Sequence, residues 1–349
     1  MRIAMVAPLA ESVPPARYGG TERVVHYLTE ALVRLGVEVT LFASGDSRTS
    51  AELVACAPRS LRLDPGVRDH LPHTIAMLEQ VRRRARRFDV LHFHIDFLHF
   101  PIFAERLAST LTTLHGRLDL PDLAAAHRAF PHAPLVSISH AQRRPLAGLG
   151  LNWLATVHHG LPVDLYRPGG GEDDHLLFLG RVSPEKRPDR AVRIAEKAGL
   201  PLIVAAKVDR ADAEYYEREI APLFAHPGVR FLGEVDDREK ERLLRGARAL
   251  LFPIDWPEPF GLVMIEAMAC GTPVIAWNHG SVPEVIEPGV TGFIVESEEE
   301  ATEAVARCRE LDRARIRARF EERFSAERMA RDYLALYRRL ARAGLARAA

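Results

Sequence analysis

Two glutamates, Glu258 and Glu266, stand eight positions apart, with a short loop and a helix-like run between them. Pro257 and Pro259 flank the first glutamate and keep the backbone there extended and stiff. Gly261 then permits a tight turn and lets a ligand approach the backbone closely. Because ionised carboxylates accept hydrogen bonds, this pair of glutamates could bind the hydroxyl groups of a sugar.

The run after Gly261 predicts a helix whose first turn could bind an anion. Apolar residues recur at helical spacing from Leu262 to Ala269, and the Gly-Thr-Pro sequence at 271–273 ends the pattern before a buried strand. Backbone N–H groups at a helix start, here on Gly261, Leu262 and Val263, favour a phosphate or diphosphate. The alternative is a loop, helix and strand whose two glutamates are only solvated.

Two basic residues in the second half, Arg181 and Lys186, follow a strand that the sequence predicts over 175–179. Gly180 leaves room for a ligand at the end of this strand. Paired cations can hold a diphosphate and stabilise negative charge that develops on it. The alternative is that both residues are solvated in a loop.

Histidines and an aspartate follow two predicted strands in the first half of the chain. His94 and Asp96 stand at the end of a strand over 90–95, and His115 follows a strand over 110–114. Open α/β sheets bind ligands at the carboxyl ends of their strands, so these side chains predict a polar acceptor pocket. A His and Asp pattern could also hold a metal ion, but no further ligand follows in sequence, and we predict no metal site.

The composition of the 349-residue chain limits its class. Its length predicts two domains, and its formal net charge of zero gives no indication of nucleic-acid binding. The three cysteines, Cys56, Cys270 and Cys308, form neither a metal motif nor a disulfide framework, which predicts a cytoplasmic protein. We expect no signal peptide and no transmembrane helix. A chain rich in Arg and Ala but poor in Lys points to a bacterial source.

The start of the chain carries an α/β pattern. A strand over 2–7, a helix over 24–35 and a strand over 37–43 predict the beginning of a parallel doubly wound sheet. Gly19 and Gly20 precede this helix, where they could form a plain tight turn or let the backbone approach a phosphate. The glycine pattern of dinucleotide-binding enzymes is absent, which argues against a dehydrogenase.

A basic helix is predicted over 73–88. Five arginines crowd the segment Arg82–Arg87, and a solvated helix face is the first interpretation of this charge. The alternative is a surface that docks an anionic membrane or acceptor. The predicted apolar face comprises Ile75, Leu78, Val81, Ala85 and Phe88.

Two stretches of the second half resemble the retaining glycosyltransferases of family four. They are the stretch 258–276, whose glutamates have the family's E-x7-E spacing, and the sequence GRVSPEKRPD at 180–189. Elements within 278–294 resemble further motifs of the family, and the resemblance extends over nearly the whole chain. It implies the GT-B architecture, in which two Rossmann-like, doubly wound α/β domains face each other across a cleft.

The resemblance also implies how the chain is divided. An acceptor-side domain would span residues 1–166, followed by a polar hinge rich in Gly and Pro at 167–174. A nucleotide-sugar-binding domain would span 175–325, and the final segment 326–349 would form a helix that packs back on the first domain.

The family's site residues transfer to matching positions of this chain. The catalytic residues would be His115, Arg181, Lys186 and Glu258. Donor and nucleotide binding would involve Gly19, Gly20, Gly180, Val235, Phe260, Gly261, Leu262, Val263 and Glu266. His94 and Asp96 would lie on the acceptor side. This chain departs from the family at His159, where an asparagine is usual.

The activity that the resemblance implies is retaining transfer of a hexose from a UDP- or GDP-linked sugar, with UDP-glucose slightly preferred, to an unknown hydroxyl acceptor. The resemblance implies no cofactor and no metal, and the segment Arg82–Arg87 would give a peripheral contact with the inner membrane surface. One alternative is a sugar-nucleotide epimerase of the same fold, which would need acid and base groups around the donor. Another is a catalytically silent nucleotide-sugar binder, which would be expected to lose its charged site residues.

Overall fold

The structure, a computed structural model, describes residues 1–16 and 19–348 and divides the chain into two compact units. The first unit comprises Met1–Pro162 together with the chain from Ala326 onward, and the second unit comprises Val163–Ser325. Each unit contains its own parallel sheet and the helices that cover it. The predicted fold class, two doubly wound α/β halves, is therefore confirmed.

The sheet of the first unit has seven strands, all parallel to their neighbours. They are β1 Arg2–Val6, β2 Glu38–Ser44, β3 Glu52–Ala57, β4 Val90–Phe93, β5 Thr110–Thr113, β6 Leu135–Ser137 and β7 Trp153–Thr156. Their order is β3-β2-β1-β4-β5-β6-β7, so the direction of winding reverses between β1 and β4. Ligands bind at such a switch point, and the loops after β1, β4 and β5 begin there.

The sheet of the second unit has six parallel strands. They are β8 His175–Arg181, β9 Leu202–Lys207, β10 Val229–Phe231, β11 Ala247–Phe252, β12 Val274–Trp277 and β13 Gly292–Val295. Their order is β10-β9-β8-β11-β12-β13, and the winding reverses between β8 and β11. This switch point brings together the loop that carries Lys186 and the loop that carries Glu258.

Helices connect the strands in both units. In chain order they are α1 Gly20–Arg34, α2 Leu71–Arg84, α3 Leu123–Ala129, α4 His140–Arg143, α5 Pro188–Ala198, α6 Ala213–Tyr215, α7 Ala221–Phe224, α8 Asp237–Gly246, α9 Leu262–Ala269, α10 Val282–Val285, α11 Glu298–Arg307, α12 Arg313–Phe324 and α13 Ala326–Ala348. Within the described ranges, no helix is both long enough and apolar enough to cross a membrane.

Helix α2 and the turn after it pack on the core of the first unit through most of the predicted apolar face, since Leu78, Val81 and Ala85 are buried there and Phe88 packs against them. Met77, Leu78 and Val81 are fully buried in that core. Ile75, which was predicted on the apolar face, is 45% exposed, so this part of the prediction is wrong. Thr74 and Met77 are buried on this side of the helix together with Leu78 and Val81.

The arginines that follow this stripe are solvated. Arg82 and Arg83 both donate to the carboxylate of Glu79, at 2.6 and 2.8 Å, and their side chains are more than half exposed. These pairs hold the pKa of Glu79 down at about 2. A membrane contact through this helix stays a prediction.

The predicted hinge, 167–174, is hydrogen-bonded to the second unit. The Gly169 N–H donates to the Cys270 carbonyl, and the Gly171 N–H donates to the Arg245 carbonyl, both at 3.0 Å. The Asp174 carboxylate accepts from Arg248 at 2.5 Å. The change from one unit to the other falls earlier in the chain, between 162 and 163.

Candidate active site

The Glu258 carboxylate lies in the loop between β11 and α9 and is bound by two donors. Lys186 forms an ion pair with it, and the Trp256 indole N–H donates to the same oxygen at 3.0 Å. Only 13% of the Glu258 side chain and 14% of the Lys186 side chain are exposed. The ammonium group also lies 4.9 Å from the centroid of the Trp256 ring, in cation–π contact. The sequence predicted both charged residues as site members but not that they form a pair.

A neighbouring turn after β12 holds this loop in place. The Ser281 N–H donates to the Glu258 carbonyl at 3.0 Å, and the Ser281 hydroxyl donates to the Phe260 carbonyl at 2.7 Å. Gly280 has φ +57°, and a Cβ at this glycine would lie 2.3 Å from the Glu258 carbonyl oxygen. These two residues orient Glu258, and the Gly-Ser sequence after a predicted strand was the signal for such a turn.

Replacing Gly280 by alanine is expected to destabilise the second unit by about 3 kcal/mol, because the new methyl group would meet backbone at a left-handed position. The free energy of unfolding in urea measures the effect. Gly289 is the matched control, since it has φ +75° but nothing within 4 Å of an added Cβ. Gly289→Ala should therefore cost only the left-handed strain, about 1 kcal/mol. Equal losses in the two variants would contradict the role of the close contact.

The start of α9 has the geometry that the sequence predicted for it. Gly261 precedes the helix with φ +77°, and Leu262 and Val263 form its first turn. Glu266, one turn further on, is only 3% exposed and accepts a hydrogen bond from the Lys240 ammonium at 2.9 Å. Lys240 is on α8, and no motif in the sequence singled it out.

Arg181 lies at the end of β8 among carboxylates. It donates to Glu185 at 2.9 Å and lies 3.7 Å from the carboxylates of both Asp209 and Asp212. An anionic ligand would therefore compete with these acidic groups for Arg181. Among the described residues, Lys186 has a single carboxylate partner, so the two predicted cations are not equivalent.

Val235 lies half-buried in the loop before α8, away from any helix or strand. Gly180 is at the end of β8 with φ +153°, and a Cβ there would meet nothing within 4 Å. The backbone at Gly180 therefore has space beside it.

The glycines of the first unit lie where the loop after β1 meets α1. Gly20 is the first residue of the helix, and Gly19 is buried before it. A Cβ at Gly19 would lie 2.9 Å from Pro15 and 3.2 Å from a carboxylate oxygen of Glu22. This close packing accounts for glycine at position 19. Residues 17 and 18 of the same loop lie outside the described ranges.

The predicted His94 and His115 are in direct contact in the first unit. His94 Nδ1 lies 2.8 Å from His115 Nε2, and the His115 ring stacks on His159 with centroids 5.3 Å apart. His94 Nε2 lies 3.0 Å from the Met5 sulfur. From the sequence, His159 was noted only as a departure from the family, and Met5 was not identified at all. Met5 lies on β1, whereas His94 follows β4, and the spacing of residues along the chain does not reveal contacts between separate strands.

The histidine cluster continues to the C-terminal helix. His92 Nδ1 lies 2.7 Å from the Tyr337 hydroxyl, and His92 Nε2 lies 2.8 Å from the Thr113 hydroxyl. The Tyr333 hydroxyl lies 2.8 Å from the same threonine. Helix α13 thus reaches the buried ends of β4 and β5 through two tyrosines, neither of which the sequence motifs identified as a partner of the histidines.

Burial keeps these histidines neutral. It lowers the pKa of His115 to about 3 and lowers the pKa of His94 and of His159 well below the ordinary value. The same desolvation raises the pKa of the neighbouring Asp96, which has a positive φ of 52°. A cluster that bears no charge at neutral pH suits contact with hydroxyl groups better than contact with anions.

A pocket of about 320 Å³ lies beside the cluster within the first unit. His94, Asp96, His115 and Gly116 line one part of it, and Thr21 and Thr74 line another. The predicted acceptor-side residues therefore share one pocket with the predicted catalytic histidine. Among residues 1–16 and 19–348, no group of three or more His, Cys, Asp or Glu side chains is arranged to hold a metal ion.

The buried histidines predict that stability falls when the pH is lowered from 6.5 toward 5. Burial also lowers the pKa of His99 to about 3, so the unfolded chain binds protons in this window that the folded chain does not. Each such histidine contributes about 1.4 kcal/mol per pH unit to the slope of the unfolding free energy. Urea unfolding at several pH values measures the slope.

His99→Phe removes one of these groups and should reduce the slope by about 1.4 kcal/mol per pH unit. His132→Gln is the control, because His132 is exposed and its replacement should leave the slope unchanged. A slope that is the same in all three proteins would contradict the neutral buried histidine.

Comparisons with known proteins agree with the geometry of both units. The profile of the family described as Glycosyl transferases group 1 matches residues 169–324, and that of Glycosyltransferase Family 4 matches residues 18–171. D-inositol 3-phosphate glycosyltransferase of Mycobacterium tuberculosis is 32% identical over 401 residues, which covers 96% of this chain and 83% of the relative. The protein of the same name from Mycobacterium bovis matches equally well.

Solved structures share the fold over the full length. Sucrose-phosphate synthase from Thermosynechococcus elongatus has a TM-score of 0.75 at 21% identity, over 98% of this chain and all of that one. The Anabaena protein HepE, solved in complex with UDP-glucose, has a TM-score of 0.72 at 17% identity, over 96% of this chain and 99% of that one. AviGT4, a glycosyltransferase involved in avilamycin A biosynthesis, has a TM-score of 0.69 at 24% identity, over 98% of both chains.

Two parallel α/β units with these structural neighbours define the GT-B fold, and the family matches and the mycobacterial relative show that the chain is a glycosyltransferase. It belongs to the Glycosyl transferases group 1 family, as the resemblance of its motifs predicted.

Proposed function

We propose that this chain is a retaining hexosyltransferase that takes its sugar from a nucleotide diphosphate, UDP-glucose in preference, and transfers it to a hydroxyl acceptor without a metal ion. The observation that carries the proposal is the Lys186–Glu258 pair beside the first turn of α9. This pair brings together a cation that can bind a phosphate and a carboxylate that can accept hydrogen bonds from sugar hydroxyls. The loop that carries Glu258 leads directly into the start of α9, which can bind an anion.

The donor would be bound by groups of the second unit. The ammonium of Lys186 carries three N–H donors, so it can keep its contact with Glu258 while it also donates to a phosphate oxygen. The first-turn N–H groups at Gly261 and Leu262 favour the same diphosphate. Glu266, kept in place by Lys240, would accept from the ribose hydroxyls. The UDP and UDP-glucose complexes of HepE support a uridine-linked donor.

Retention would follow from attack on the face that the leaving group occupies. The bond from the anomeric carbon to the phosphate oxygen breaks, and a bond from that carbon to the acceptor oxygen forms. The acceptor's proton passes to an oxygen of the departing diphosphate, whose charge Lys186 and Arg181 stabilise. Glu258 is bound by Lys186 and Trp256, which suits positioning of the sugar rather than attack on it.

His115 would face the anomeric side of the donor sugar. Positive charge develops at the anomeric carbon as the glycosidic bond breaks, and a protonated histidine there would oppose it. Because burial lowers the pKa of His115 to about 3, its ring is neutral under working conditions. The neutral ring therefore allows this charge to develop.

The acceptor would bind in the pocket of the first unit, where the described lining residues offer hydroxyl, imidazole and carboxyl groups. The name of the mycobacterial relative points to a phosphorylated cyclic polyol as acceptor for that protein. The described lining contains neither lysine nor arginine, so we propose an uncharged polyol or sugar for this chain. Transfer assays with myo-inositol and with inositol 3-phosphate compare the two, and a preference for the phosphate would refute this part.

A thermal-shift screen tests the donor proposal first. The protein is melted with UDP, GDP and ADP and with their glucose and mannose conjugates, each with and without EDTA. A ligand that binds only the folded state at a hundred times its Kd stabilises it by about 2.7 kcal/mol, a shift of several degrees. We expect the largest shift with UDP-glucose and no effect of EDTA. A shift with none of the nucleotides would refute the donor site.

A further inference from the structure

Three side chains form a hydrogen-bonded row at the switch point of the first sheet. The Met5 sulfur lies on β1, His94 follows β4 and His115 follows β5. The sulfur lies 3.0 Å from His94 Nε2, and His94 Nδ1 lies 2.8 Å from His115 Nε2. Met5 is fully buried and His94 is 3% exposed, so the contact between these two residues is shielded from water.

The chemistry of the first atom fixes the proton positions along the row. A thioether sulfur has lone pairs and no hydrogen, so it can only accept. His94 must therefore carry its proton on Nε2, where it donates to Met5. A neutral imidazole has one N–H, so His94 Nδ1 is an acceptor, and the contact requires His115 to donate from Nε2.

The protonation state of His115 Nδ1, the last atom of the row, follows from the number of protons on its ring. His115 also carries a single proton, because burial lowers its pKa to about 3. With that proton on Nε2, its Nδ1 bears a lone pair. This Nδ1 is buried and has no hydrogen-bond partner among the described residues, although the His115 ring lines the pocket.

We propose that Met5 and His94 are positioning residues that hold His115 in its Nε2–H tautomer, so that His115 offers a ligand a hydrogen-bond acceptor and no N–H donor. A hydroxyl group of the substrate can then donate to His115 Nδ1. A phosphate or carboxylate oxygen has nothing to donate and meets a lone pair instead. The row thus selects for a hydroxyl at this point of the pocket, a consequence that rests on the proposed function.

Nitrogen-15 NMR of histidine-labelled protein without substrate tests the tautomers directly. Correlations between the ring nitrogens and the carbon-bound ring protons distinguish the Nε2–H form from the Nδ1–H form. His94→Gln and His115→Gln assign the resonances, and His99→Gln is the control for loss of another buried histidine. We expect the Nε2–H form for both His94 and His115 at pH 7. An Nδ1–H form or an imidazolium at either residue would overturn the proposal.

Met5→Leu tests the sulfur, because it keeps the volume and removes the acceptor. We expect a second population in this variant, with the proton of His94 on Nδ1 and that of His115 moved to Nδ1 as well. Tautomers identical to the parent protein would overturn the role of Met5. Neither result requires turnover, so a failure of the tautomer proposal is distinguishable from a failure of the proposed function.

A donor or acceptor analogue with one hydroxyl replaced by hydrogen tests the consequence for selectivity. The parent protein should lose kcat/KM about 10-fold or more with the analogue that lacks the bound hydroxyl. His115→Ala should not discriminate between that analogue and the natural substrate. Discrimination that persists in full without His115 would overturn the assignment of His115 as the acceptor.

Discussion

Glu258→Ala is expected to lower kcat about 10²- to 10³-fold, the loss typical when a positioned polar group of an active site is removed. The alanine takes away the acceptor for the donor sugar's hydroxyl groups. It also takes away the carboxylate that fixes the Lys186 ammonium and the Trp256 N–H. Steady-state kinetics with the donor identified by thermal shift give kcat and KM separately.

Glu298 offers a matched control in the same unit. Its carboxylate also binds two cations, Arg193 at 2.7 Å and Lys197 at 3.2 Å, but this cluster lies between helices α5 and α11. Glu298→Ala should keep kcat, with a stability cost of no more than about 1 kcal/mol for a partly exposed pair. Full activity of Glu258→Ala, or an equal loss in Glu298→Ala, would contradict the catalytic assignment.

The sequence predicted the parallel sheets well because their strands are buried on both faces. β1 and β11 read as nearly continuous apolar runs, which is the signature of a covered parallel strand. The turn at Gly261 was equally readable, since glycine before an apolar helical run marks a left-handed position ahead of a helix. Features that depend on neighbouring residues in the chain were therefore predictable.

The partners of the charged residues were not predictable in the same way. Lys240 binds Glu266 from another helix, and Tyr337 reaches His92 across most of the chain's length. Such contacts depend on how elements pack, and periodicity says only which face of an element is buried. The exposed Ile75 shows the same limit, because the helical spacing of apolar residues did not distinguish it from Leu78 and Val81, which are buried.

The way in which Arg181 and Lys186 differ is also a tertiary property. From the sequence alone, both residues are expected to bind a diphosphate, and nothing distinguishes one from the other. Within the described part of the fold, Arg181 lies near three carboxylates. Lys186 is paired with one carboxylate, that of Glu258, in the loop that leads into α9. The lysine is therefore the cation that an incoming phosphate can recruit at the smaller electrostatic cost.

Lys186→Met is expected to lower kcat/KM about 10²- to 10³-fold, because the departing diphosphate loses the cation that stabilises its growing charge. The same change leaves the largely buried Glu258 carboxylate without its counter-ion, which should cost up to about 3 kcal/mol of unfolding free energy. Kinetics and urea unfolding on the same preparations measure the two losses. Lys197→Met is the control, since Lys197 pairs with Glu298 and Glu299 on an exposed face.

The double variant Lys186→Met/Glu258→Gln separates the two roles of the lysine. Glutamine keeps an acceptor for the Trp256 N–H but carries no charge, so no ion is left buried without a partner. Stability should therefore return toward that of the parent protein, while kcat/KM stays below that of Glu258→Gln alone because the diphosphate still lacks its cation. A double variant as active as Glu258→Gln alone would mean that Lys186 serves only to neutralise Glu258, and the phosphate role would then fall to Arg181.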